Sequence, residues 1–113
     1  MSSKLDRQIA KFAGVKLTNS AASTHIFKIE DHSAMVLHFP SGWTSCTVTV
    51  QSKDPTDGAY YALYDQDGNA VTFTAAASTA VTLPDSIFPC DMIKCVTDNA
   101  ANNSLDVGGV AKS

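Results

Sequence analysis

The chain has 113 residues and a mass of 11.9 kDa, enough for one domain and too short for a second core. Eight basic against eleven acidic side chains leave a net charge of −3, which excludes a broad electrostatic footprint for nucleic acid or for an anionic membrane. No run of about 18 apolar residues is present, and residues 1–12 lack the apolar stretch of a secretory leader, so neither a spanning helix nor a leader is expected.

Two compositional skews favour strands and turns. Val, Ile and Thr total 25 residues, and β-branched side chains suit a pleated surface better than a helix. The acids are ten Asp to one Glu, and Asp competes with the backbone for hydrogen bonds in turns.

Residues 1–13 place Leu5, Ile9 and Phe12 at helical spacing, with Lys4, Asp6, Arg7 and Lys11 elsewhere on the wheel and Gly14 as a stop. So short a stripe cannot hold a helix by itself, so an amphipathic segment is expected that docks on the domain, docks on a neighbour or stays mobile. A small polar stretch over 19–24 reads as a connector. Residues 25–30 are a strand candidate, with Ile26 and Lys28 opposing Phe27 and Ile29. Residues 1–34 are therefore read as an N-terminal arm and connector, and residues 35–113 as the domain.

From Met35 the alternation is regular. Met35, Leu37 and Phe39 share one face, and Pro40-Ser41-Gly42 closes the run. Cys46, Val48 and Val50 follow, then a turn-rich stretch from Lys53 to Gly58. Tyr61 and Leu63 alternate with Tyr60, Ala62 and Tyr64 before a tight Asp65-Gln66-Asp67-Gly68-Asn69 turn. Val71 and Phe73, then Val81 and Leu83, then Ile93, Cys95 and Thr97 mark three further strands. Leu105, Val107 and Val110 suggest a weak last one. Short strands separated by frequent turns predict an all-β chain, an antiparallel β-sandwich or jelly roll with an N-terminal arm. The expected core is Leu37, Phe39, Val48, Val50, Leu63, Phe73, Val81, Leu83 and Ile93. At roughly 1.5–3 kcal/mol per buried large side chain, such a core holds a domain of this size.

The search for chemistry finds no nucleophile elbow, zinc-protease motif or glycine-rich phosphate loop, so no enzyme, metal or cofactor is expected. Cys46, Cys90 and Cys95 are an odd set with no nearby His, and read as free thiols that pack as small hydrophobes. His25, His32 and His38 are scattered, and His38 is expected to face solvent or an interface. The Asp65–Asn69 stretch puts Gly fourth and has no following Glu, so it reads as a hairpin turn rather than a calcium loop. Trp43, Tyr60, Tyr61 and Tyr64 form an aromatic set. Such residues line cores and subunit interfaces, and also make platforms for sugars.

The run Phe39-Pro40-Ser41-Gly42-Trp43-Thr44 is followed by Thr47-Val48-Thr49-Val50-Gln51-Ser52-Lys53-Asp54. Next come Tyr61-Ala62-Leu63-Tyr64-Asp65 and Asp67-Gly68-Asn69, then Ser78–Leu83 and Ile93-Lys94-Cys95-Val96. This ordered set, about 60 of 113 residues, resembles small β-sandwich structural proteins of tailed-bacteriophage virions. Thr97-Asp98-Asn99 and the soft tail from Val107 depart from that pattern, which has Ser-Gly and a longer apolar strand there. The resemblance implies a non-enzymatic capsid decoration or cement protein on the virion surface, made in the host cytoplasm. Its partners would be the major capsid protein and copies of itself, with a homotrimer favoured and no nucleic acid or membrane. A tail or head-fibre component fits the same residues. Leu5, Ile9, Phe12, Trp43, Tyr60 and Tyr64 are the expected interface residues. The rival from another class is a carbohydrate-binding host-attachment module resting on Trp43, Tyr60 and Tyr64.

Overall fold

The computed structural model describes residues 9–29 and 32–112. Nine strands form in chain order: β1 (Ile9–Lys16), β2 (Ile26–Lys28), β3 (Ala34–His38), β4 (Cys46–Lys53), β5 (Tyr60–Ala62), β6 (Thr72–Ala75), β7 (Ala80–Thr82), β8 (Met92–Thr97) and β9 (Asp106–Lys112). One sheet has the order β1-β9-β3-β7; the other has β2-β8-β4-β5, with β6 also on β4. Every pairing is antiparallel.

The pairing is nested. β4 pairs with β5 and β6, β3 with β7, β2 with β8, and β1 with β9. The chain is thus one long hairpin whose innermost turn lies between Lys53 and Tyr60. Rolling that hairpin adds the contacts β8–β4 and β9–β3, which close the two sheets. This is the jelly-roll topology. Asp54 and Asp57 fix the innermost turn by accepting from the Thr56 and Ala59 N–H groups, each at 2.8 Å, and Gly58 supplies φ 75°.

Alternation decides what fills the space between the sheets. Met35, Leu37, Phe39, Val48, Val50, Leu83, Ile93 and Cys95 are buried as their parity predicts. Leu63, Phe73 and Val81, expected in the core, are only half-buried against it, because they lie on short edge segments. The buried Asn102 closes one end. Its Oδ1 accepts from Thr44 N at 2.8 Å and its Nδ2 donates to Thr44 O at 2.7 Å. One amide therefore satisfies both backbone groups of Thr44, each of which would cost about 1–3 kcal/mol if buried unpaired.

Residues 9–29 correct the expectation of a helical arm. Ile9–Lys16 is a strand on the edge of the first sheet, and Leu5 lies outside the described residues. Docking on β9 gives this segment a ladder of backbone hydrogen bonds that an isolated short helix lacks. Val15, Leu17, Phe27 and Ile29 are core residues, so residues 9–29 belong to the sandwich rather than precede it. Ile9 and Phe12 stand an odd step apart in an unbroken register, so Ile9 faces outward and Phe12 inward, and a bulge follows Phe12. Phe12 faces Gly109 and Val15 faces Val107, an odd step on β1 against an even one on β9. Gly14 at φ 71° absorbs the extra residue, so that Phe12 and Val15 both turn inward.

Gly109 is the counterpart of that bulge. A Cβ there would lie 2.5 Å from the Phe12 ring and 2.6 Å from Val36 O. The Phe12 ring covers the bare backbone and meets Phe27 of the opposite sheet at a centroid distance of 5.3 Å. Gly109→Ala is expected to destabilise the fold by about 1–3 kcal/mol through overpacking, read by urea denaturation. Gly108→Ala, whose Cβ meets Phe12 O at 3.4 Å, is expected to cost clearly less.

Candidate functional site

The outward side chains of the first sheet form an apolar strip. Register puts Val36 between Val110 and Thr82, and Lys112 between Ile9 and Ala34. Ile9 is 55% exposed, which is unusual for so large an aliphatic residue. Beside it, Ala34, Val36, His38, Val110 and Lys112 line a shallow depression of about 370 Å³. Lys11 lies opposite Val110. Lys16 pairs with Asp106 at 2.6 Å, whereas among the described residues neither Lys11 nor Lys112 has an ion-pair partner, so both carry positive charge at the strip. The face combines aliphatic area with cationic flanks on a chain that is acidic in total.

The outward face of the second sheet is more polar. Lys94 Nζ stands 4.3 Å from the Tyr60 ring centroid and donates to Ala21 O at 2.7 Å. Tyr60 is half-buried, and burial together with the Asp91 charge raises its phenol pKa. Tyr61 is exposed and donates to Asp57 Oδ2 at 2.8 Å. The Ala59 N–H and then the Tyr61 hydroxyl lower the pKa of the Asp57 carboxyl.

The residues expected at an interface are therefore scattered. Ile9 is exposed on the first sheet, and Phe12 turns inward beneath the same strand. Trp43 is a correction. Only 3% of it is exposed, so it serves as neither a contact surface nor a sugar platform. The Pro40-Ser41-Gly42 turn, closed by Trp43 N to Pro40 O at 3.1 Å, folds the indole against Phe39 at 4.8 Å. Among the described residues the buried indole N–H has no hydrogen-bond partner. Tyr60 and Tyr64 part company. Tyr60 packs under Lys94, whereas Tyr64 is 60% exposed on a hairpin that leaves the sheet.

That hairpin was legible as a turn. Asp65 Oδ1 accepts from Asp67 N and Asn69 N, both at 2.9 Å, and Gly68 adopts φ 82°. What sequence did not reveal is where it projects. Gln51 faces Ala62 and Thr49 faces Thr72, so β5 and β6 are two halves of one edge strand interrupted by this excursion. Among the described residues no three His, Cys, Asp or Glu side chains gather as metal ligands, and no helix is long and apolar enough to cross a membrane. No protein-family model matches the chain, and no curated protein or solved structure matches it significantly.

The three cysteines are free thiols. Burial pushes the Cys95 thiol up to about 12 from an ordinary 9.0. The folded state thus holds a proton that the unfolded chain releases above pH 9, so stability is complete below pH 9 and falls as pH rises towards 12. Cys95→Ala is expected to flatten that alkaline decline, measured by denaturation at stepped pH. In the native protein a thiol reagent is expected to modify the half-buried Cys90 first and Cys95 only on unfolding.

Proposed function

We propose that this chain is a structural protein of a tailed-bacteriophage virion, a decoration or cement protein that binds and stabilises the head shell as a homo-oligomer. The observation that carries the reading is the outward face of the β1-β9-β3-β7 sheet, where Val36 and Val110 stand side by side, Ile9 lies exposed on the edge strand, and Lys11 and Lys112 are interspersed with them. The jelly-roll topology and the sequence resemblance from Phe39 to Val96 support it.

The energetics favour several copies acting together. Full burial of three aliphatic side chains contributes at most about 1.5–3 kcal/mol each. Bringing two bodies together costs an estimated 4–15 kcal/mol, so a single copy would hold weakly. A closed oligomer that presents the face several times converts weak contacts into avid binding, and a trimer suits a threefold position on a shell. The cationic flanks fit an acidic counter-surface.

Sedimentation of the full chain is expected to show an oligomer. Ile9→Asp and Val110→Asp are each expected to leave the fold intact and weaken binding to purified heads at least tenfold. A wild-type chain that does not bind heads, or variants that bind as well as wild type, would contradict the proposal. Binding confined to tails would assign the chain to the tail instead.

A further inference from the structure

A second recess, sharing no residue with the aliphatic strip, opens where the excursion leaves the second sheet. It has a volume of about 480 Å³, the scale of a small-ligand site. Three chain segments wall it. The end of β4 contributes Ser52 and Lys53, the excursion contributes Leu63, Tyr64 and Asp65, and the loop before β8 contributes Ser86 and Asp91. The walls are held by backbone bonds. Leu63 N donates to Val50 O at 3.0 Å, and Val71 N donates to Leu63 O at 2.8 Å, so the base of the excursion is fixed to the sheet.

The lining is mixed in a particular way. Tyr64 offers an exposed ring face and Leu63 a half-buried aliphatic floor. Around them stand donors and acceptors with capacity to spare. Among the described residues Lys53 Nζ has only the Met92 sulfur, at 4.0 Å, as a soft partner. Asp65 spends Oδ1 on its own turn, and its Oδ2 takes part in none of those bonds. The hydroxyls of Ser52 and Ser86 add groups that donate and accept.

Charge narrows the ligand. The Lys53 ammonium shares the recess with the Asp65 carboxylate, so no surplus of either sign favours a phosphate, an acidic or a cationic ligand. A purely apolar ligand would strand the polar groups. A ligand that suits the lining has an apolar face for the ring and several hydroxyls at its rim, each able to donate and to accept. That is the chemistry of a neutral sugar ring.

We infer that this recess binds a neutral glycosyl unit. Its C–H face stacks on Tyr64, and its hydroxyls are met by Lys53, Asp65 and the two serines. The recess is independent of the shell-docking face, so a failure of either leaves the other standing.

Saturation-transfer NMR on the full chain tests it, using methyl glucoside, methyl galactoside, methyl mannoside and N-acetylglucosamine as probes at millimolar concentration. Glucuronate and an N-acetylated lysine amide serve as charged competitors. At least one neutral probe is expected to show transfer. Tyr64→Ala is expected to weaken it roughly five- to tenfold, and Tyr64→Phe, which keeps the ring, to retain it. Tyr61→Ala, an exposed tyrosine outside the recess, is expected to change nothing, and equal melting temperatures would show that the variants are folded. Absence of transfer from every neutral probe, equal loss in Tyr64→Ala and Tyr61→Ala, or preference for either charged competitor would overturn the inference.

Discussion

Nested antiparallel pairing is the constraint on which the rest depends. Each strand before the innermost turn finds its partner at the mirrored place after it, so the β1–β9 pair encloses all the others along the chain. The outermost pair joins residues far apart in the chain, and closing long loops costs entropy before contacts reward it. β9 bears most on closure, because it pairs with β1 on one side and with β3 on the other. Its inward residues are Val107, Gly109 and Ala111, and Gly109 bears no side chain because Phe12 already fills the space above it.

That exchange of volume explains what could be read from the sequence. Strands whose inward positions are large and alternate strictly, such as Met35-Leu37-Phe39 and Cys46-Val48-Val50, were visible by period alone. β9 looked weak because its inward row is Gly and Ala, which carry no hydrophobic signal. β1 looked helical because its apolar residues lie on both faces, Ile9 outward and Phe12 inward, and the Gly14 bulge then brings Val15 to the same face as Phe12, so no period of two survives. Asn102 carries no signal of burial in the sequence and is fully buried, since its role depends on Thr44 arriving from a distant segment.

The candidate surfaces were legible to a lesser degree. Ile9 was singled out for the wrong secondary structure, yet it is one of the few large aliphatic side chains left exposed. Its neighbours Val36 and Val110 could not be placed beside it without the register of three strands. Trp43 shows the opposite failure. A lone Trp after a Pro-Ser-Gly turn suggests a displayed aromatic, but the turn aims the indole into the end of the sandwich. Tyr64 is displayed because its hairpin interrupts an edge strand, and such interruptions leave no periodic trace.

The two sheets divide the work of the molecule. Their inner faces supply the stability, and the outer face of β1-β9-β3-β7 is left with aliphatic area that solvent does not reward. The most direct measurement is a cryo-electron microscopy reconstruction of phage heads saturated with the protein. The predicted result is density for the jelly roll with Ile9, Val36 and Val110 turned into a protein contact. Bare heads, or copies bound with that strip open to solvent, would contradict the docking role.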